Sequence, residues 1–464
     1  MRPLPYQLKQ YGWHLGIGLV MTITAIIFIF NVFRYNTYWA YDGGAHLQYI
    51  LTIAKEGRLP TPDQNYLAWH EPLYYILNAG VVKILYFFSF SDSVIIKILQ
   101  LESALFALFF IAGSGVLAWI ITRDRARVFF VFLFSAALFS VSGVARYLTN
   151  EILFQTGTIW WLVWFFCGLN KADGIDKENK EYFPVWRWVR LSLGLLFLLW
   201  IKLTALVLIV AVVLWLLIQI SQSVYQKSRS GNFGYQKIFM VILVCLIVAV
   251  GYSPWLYHKH RLYGESFTIN NFESLPNKEA TILPLSFYLT WDNTILQNPL
   301  WPGGRGSFWS LLFGSAFGDY DNVFQNYEPK QTQPTITTVN SRLFSTERFA
   351  RMKLLLWLSL PLFIFLLFGL VRTSLTIIQK DWSKPTWFFL FIVTVGFLGS
   401  LVYNTWQYSF LERGTLKAIF ILAFFPLSAL MASAYLPIPK WRSFVWIYMS
   451  VWTGLSWSVI LLPG

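Results

Sequence analysis

Apolar runs long enough to cross about 30 Å of hydrocarbon recur from one end of this 464-residue chain to the other. So much apolar surface cannot be hidden from water inside one soluble core. The charge content points the same way: 12% of residues are charged and 56% are hydrophobic, against about a quarter charged in soluble proteins. The fold class expected is therefore an all-α polytopic membrane protein. Eleven spans can be marked: 15–33, 98–121, 128–145, 152–169, 191–201, 204–220, 238–255, 354–371, 386–403, 418–436 and 443–462. The first run is long, lacks a small-residue cleavage site and is followed by many more, which makes it a retained anchor rather than a signal peptide.

The formal charge of +14 follows membrane orientation better than a nucleic-acid partner. With the N-terminus in the cytoplasm, every inner segment (1–14, 122–127, 170–190, 221–237, 372–384 and 437–442) carries net positive charge, and the C-terminus falls outside. Two assignments follow from this parity. The stretch 72–90 carries Lys83 and lies along or partly into the outer leaflet. The run 191–220 divides at Lys202, because a charge at a span's centre costs about 3 kcal/mol. Amphipathic helices are expected in the first outer loop, 34–97. A second large outer loop follows span seven, and its Pro and Gly clusters argue against regular structure throughout. Three regions result: a transmembrane module at 1–255, an outer loop or small lid at 256–353, and C-terminal helices at 354–464. Cys167 and Cys245 both lie in apolar runs, which leaves no disulfide or cysteine-metal framework. The inner loops hold no phosphate-binding glycine motif, which weighs against an ATP-driven pump.

Residues able to carry chemistry gather on the outer side. Tyr41-Asp-Gly-Gly-Ala-His46 precedes Leu47, Ile50, Leu51 and Ala54 at helical spacing, so Asp42 opens a surface helix, as N-cap, as catalytic base, or as both. His70 and Glu71 stand before Pro72, beside Trp69, Tyr74 and Tyr75, whose aromatic rings suit interfacial anchoring. Arg146-Tyr-Leu-Thr-Asn150-Glu151 forms a turn that brings Glu151 to the face of Asp42. Paired carboxylates of this kind serve base catalysis or hold a divalent cation. Lys202, with Arg413 and Lys417, suits an anionic partner such as a lipid phosphate. Arg305, Asp319 and Asp321 stand out in an aromatic-rich part of the second loop, where rings can stack on sugars or lie on lipid.

In order and shared side, Asp42, His70-Glu-Pro-Leu-Tyr-Tyr75, Arg146-Tyr-Leu-Thr-Asn-Glu151 and Lys202-Leu-Thr204 resemble GT-C membrane glycosyltransferases of the protein O-mannosyltransferase and aminoarabinose transferase branch. Relatives in that branch often carry Asp-Glu where this chain has Asp42-Gly43. The resemblance implies a GT-C-like fold and transfer of a hexose or pentose from a polyprenyl-phosphate sugar to a lipid, glycan or protein acceptor outside the cytoplasm, usually with inversion. The membrane would be a bacterial plasma membrane. Asp42 would be the base and Glu151 its assistant. Donor and phosphate binding would fall to His46, His70, Glu71, Arg146, Asn150, Lys202, Arg305, Arg413 and Lys417. The main alternative is a lipid-linked saccharide flippase or transporter, which should place its ionisable groups near the bilayer midplane in interrupted helices.

Overall fold

The computed structural model describes residues 4–39, 41–172, 185–226, 233–264, 283–299, 306–319, 346–379, 385–407, 416–436 and 442–462. Among the described residues, seventeen α-helices follow one another: α1 (Leu4–Arg34), α2 (Gly43–Glu56), α3 (Leu73–Phe87), α4 (Asp92–Thr122), α5 (Arg125–Ala137), α6 (Phe139–Val144), α7 (Asn150–Ala172), α8 (Val185–Ile201), α9 (Leu206–Gln226), α10 (Phe233–Tyr263), α11 (Leu285–Leu289), α12 (Thr294–Gln297), α13 (Phe308–Phe317), α14 (Thr346–Ile378), α15 (Pro385–Gln407), α16 (Phe424–Ser433) and α17 (Arg442–Leu461). Among the described residues, eight helices are long and apolar enough to cross a membrane, and the chain is an integral membrane protein. The remaining expected spans fall on shorter or interrupted elements. Residues 128–145 divide into α5 and α6, 191–201 ends the 17-residue α8, and 418–436 is a 3₁₀ turn leading into the 10-residue α16. The segment at 72–90 forms the 15-residue α3.

Burial explains why some of these helices are short. Leu15 on α1 is 72% exposed and Val250 on α10 63% exposed, as expected of side chains that meet lipid. Every residue of α6 and α16 is buried, so these helices are enclosed by protein and need not match the hydrocarbon thickness. The centre is aromatic. Phe134 of α5 stacks on Trp452 of α17 with centroids 5.7 Å apart. Phe317 of α13 meets Phe134, Phe363, Phe425 and Trp452. The second long loop therefore sends α13 into the helical core.

Hydrocarbon offers no hydrogen bonds, so an interrupted helix is tolerated only where protein groups satisfy the freed backbone. At the break between α5 and α6, Ser456 Oγ donates to the Ala137 carbonyl at 2.6 Å and Trp457 Nε1 to the Ala136 carbonyl at 3.3 Å. Before α16, Gln155 serves both directions: its Nε2 donates to the Phe420 carbonyl at 2.8 Å and its Oε1 accepts from Ala423 N–H at 2.9 Å.

Close helix approach needs small residues. A Cβ at Gly369 of α14 would lie 2.5 Å from the Ala432 Cα of α16, whereas one at Gly454 of α17 would meet nothing within 4 Å. Gly369→Ala is therefore expected to destabilise the bundle by about 1–3 kcal/mol, seen as a lower melting temperature in detergent. Gly454→Ala should leave that temperature unchanged or slightly raised.

Candidate active site

The site begins on the segment between α1 and α4. Asp42 precedes α2 with left-handed backbone angles (φ 55, ψ 9), and its side chain makes no capping hydrogen bond. It occupies the N-cap position without doing the N-cap's work. Left-handed backbone costs a non-glycine residue about 1–2 kcal/mol, although Asp tolerates it better than most. The turn leaves the carboxylate exposed, where Oδ1 accepts a hydrogen bond from the Tyr66 hydroxyl at 2.5 Å.

Helix α2 buries Leu47, Ile50 and Ala54 with Leu51 half-buried, as the spacing predicts, and lies on α3. Tyr74 and Tyr75 are not interfacial anchors. They are 2% and 0% exposed, and Tyr75 stacks on Tyr49 with centroids 3.8 Å apart. The Tyr75 hydroxyl sits between two imidazoles, 2.9 Å from His46 Nδ1 and 3.1 Å from His70 Nδ1. Burial is the main cause that pushes His46 down to about 4; the Asp42 charge opposes it and Lys202 adds to it. Burial, then the charges of His46, Lys202 and Lys259, hold His70 well below its ordinary value. Both rings are neutral near pH 7 and act as hydrogen-bonding groups rather than as cations.

A helix break forms the second part. Helix α8 ends at Ile201, Lys202 is extended (φ −160, ψ 133), and a 3₁₀ turn over 203–205 leads into α9. Asn150 Nδ2 donates to the Ile201 carbonyl at 3.2 Å, and Glu71 Oε2 accepts from Leu203 N–H at 3.2 Å. The other oxygen of Glu71 accepts from the Tyr252 hydroxyl at 2.9 Å and pairs with Lys259 Nζ at 3.2 Å. Asn150 and Glu71 thus brace the backbone on either side of Lys202. The Lys202 ammonium pairs with Glu151 Oε1 and lies 4.8 Å from the Phe420 ring centroid. Lys417 Nζ stands 3.6 Å from the centroid of Tyr41, next to Asp42, and its charge also acts on Glu151. Asp42 and Lys202 both act on His46. Asp42, Glu151, Lys202 and Lys417, from four distant stretches, therefore lie in one electrostatic neighbourhood.

The remaining expected residues divide. Arg146 is fully buried, its guanidinium 5.2 Å from the Tyr35 centroid, and it feels the charges of Asp319 and Arg348. Asp319 itself pairs with Arg348 at 2.9 Å, both side chains buried. Arg305, Asp321 and Arg413 lie outside the described residues. Asp42 and Glu151 are engaged by different partners, Tyr66 and Lys202. Among the described residues no three His, Cys, Asp or Glu side chains group as a cation site. Lys259, Tyr252 and Arg348 were not anticipated. The sequence signal for Lys259 is the basic cluster His258-Lys-His-Arg261 in the last turns of α10.

The sequence matches no family model and no curated protein. Solved structures are similar in fold. One is ArnT from Cupriavidus metallidurans bound to undecaprenyl phosphate, at 12% identity over 95% of this chain and 63% of that one, TM-score 0.52. Another is the oligosaccharyltransferase AglB from Archaeoglobus fulgidus in complex with an inhibitory peptide and a dolichol-phosphate, at 11% identity over 98% of this chain and 56% of that one, TM-score 0.51. The chain thus spans less than two thirds of the length of either. It has the GT-C fold.

Two expectations follow. Glu71→Ala strands the buried Lys259 charge and should cost about 3–5 kcal/mol, while adding Lys259→Met should recover part of that loss, so a melting series on the single and double variants should be non-additive. The neutral His46 bears on acid stability. The unfolded chain takes up a proton below His46's ordinary 6.5 and the folded chain only near 4, so stability is complete above 6.5 and falls as pH drops. The slope due to His46 is about 1.4 kcal/mol per pH unit. Melting of His46→Gln between pH 7 and pH 4 should show a shallower decline than the parent.

Proposed function

We propose that this chain is a membrane glycosyltransferase that moves a hexose or pentose from a polyprenyl-phosphate carrier to a lipid, glycan or protein hydroxyl on the non-cytoplasmic face of a bacterial plasma membrane. The observation that carries this reading is the exposed Asp42 carboxylate on a left-handed turn, one residue after the Tyr41 ring that Lys417 covers, with the ammonium of the Lys202–Glu151 pair and Asp42 both acting on His46. The two similar structures were solved with undecaprenyl phosphate and with a dolichol-phosphate, which supports a lipid phosphate as the donor's leaving group.

The sugar arrives on a phosphate that leaves readily, so two tasks remain for the protein. Asp42 takes the proton of the acceptor hydroxyl as that oxygen attacks the anomeric carbon from the face opposite the phosphate. The bond from the anomeric carbon to the phosphate oxygen breaks with its electron pair, and Lys417 and Lys202 stabilise the charge that develops on the departing lipid phosphate. Glu151 keeps Lys202 in place between donors. Glu71 and Asn150 act through the backbone on either side of Lys202, as positioning residues. In this reading 1–255 supplies Asp42, Glu151 and Lys202, and 354–464 contributes Lys417.

Purified protein in liposomes, given radiolabelled polyprenyl-phosphate sugars and extracted acceptors, should transfer label. Asp42→Asn should lower kcat by about 10²–10⁴-fold with its melting temperature unchanged. A fully active Asp42→Asn protein removes Asp42 from the base's role. Movement of the labelled lipid between leaflets without transfer makes the protein a flippase instead.

A further inference from the structure

The contacts around Tyr75 carry more information than their distances, because proton counting gives them a direction. The Asn150 side-chain amide lies 3.2 Å from the Ile201 carbonyl. A carbonyl only accepts, so the atom facing it is the amide nitrogen, and the flip of Asn150 is set. The same nitrogen is 3.4 Å from His70 Nδ1. An amide nitrogen only donates, so His70 Nδ1 carries a lone pair and its proton sits on Nε2. The Tyr75 oxygen, 3.1 Å from that lone pair, is attractive only if its hydroxyl proton points there. A phenol has one proton. His46 Nδ1, 2.9 Å from the same oxygen, must therefore supply the next hydrogen.

We infer that the chain His46 Nδ1–H to Tyr75 O–H to His70 Nδ1, with Asn150 fixing its far end, runs in one direction only. It holds His46 in the Nδ1–H tautomer and makes its bare Nε2 a hydrogen-bond acceptor for the substrate that Asp42 deprotonates. His46 lies one helical turn from Asp42, since its N–H donates to the Asp42 carbonyl at 2.9 Å. Two acceptors of different kinds would then stand together. The carboxylate takes the proton of the reacting hydroxyl, and the neutral imidazole receives a neighbouring hydroxyl or amino hydrogen of the same acceptor molecule. Tyr75 and Asn150 act through His46 and are positioning residues. Asn150 thereby has two tasks with its two amide hydrogens: one braces the break at Lys202 and the other orders the imidazoles, which couples the cationic and basic halves of the site through one side chain. The substrate contact rests on the glycosyltransferase reading; the tautomer does not.

The chain has five histidines, so a full-length protein labelled with ¹³C,¹⁵N-histidine in lipid bilayers gives a resolvable spectrum, with His46→Gln used for assignment. At pH 7 the His46 ring should show a protonated Nδ1 and an unprotonated Nε2, and His70 the reverse. Tyr75→Phe should release His46 toward the Nε2–H form that free imidazole side chains prefer. A wild-type His46 protonated on Nε2, or a His46 tautomer indifferent to Tyr75→Phe, overturns the directional chain. The substrate contact is tested by two isosteres. His46→Asn keeps a donor near the Nδ1 position but loses the acceptor, and should raise the KM for the acceptor substrate about tenfold with kcat little changed. His46→Gln restores an oxygen near the Nε2 position and should recover most of that KM. If the tautomer is as expected but His46→Asn leaves KM unchanged, the substrate contact is overturned. If the wild-type protein transfers no sugar at all, the functional reading fails while the tautomer result stands.

Discussion

A buried backbone amide or carbonyl that leaves a helix needs a partner from the protein, and the break at Lys202 is where that requirement shapes the rest of the molecule. Two backbone groups come free there. Asn150, from the start of α7, takes the Ile201 carbonyl, and Glu71, from the loop before α3, takes the Leu203 amide. The break therefore draws two distant segments to one point, and each brings a functional neighbour with it. Glu151 follows Asn150 in sequence and meets Lys202. His70 precedes Glu71 and meets Tyr75.

The two carboxylates expected to act as a pair are used differently. Glu151 is buried against an ammonium, where separation would leave a charge without its counterpart in a low-dielectric interior. Asp42 is exposed, bound to a tyrosine hydroxyl and held on a turn that α-helical capping does not explain. Their environments differ, as those of neighbouring acids in active sites commonly do.

Features with a local cause could be read from the residues alone. The apolar runs marked the helices, the spacing of Leu47, Ile50, Leu51 and Ala54 marked the buried side of α2, and the cost of a charge in a span marked the division at Lys202. The similarity of fold to ArnT and AglB agrees with motifs that were short but came in a definite order. Partnerships set by packing could not be read. Glu71 and Lys259 are 188 positions apart, and nothing in either neighbourhood announces the other. Tyr74 and Tyr75 look like interfacial rings because tyrosine is common there, yet α2 covers them. Among the described residues, eight helices have the length and hydropathy of a span against the eleven marked, and the difference falls on α5 with α6, on α8 and on α16, of which α6 and α16 are enclosed by protein.

That enclosure bears on what selects the residues of α16. Ten helical residues rise about 15 Å, half the hydrocarbon thickness, and every one of them is buried along that length. The surroundings are α5, α14 and α15, with Gln155 holding the broken turn that precedes the helix. Shape against these neighbours, rather than affinity for lipid, therefore decides which side chains fit there.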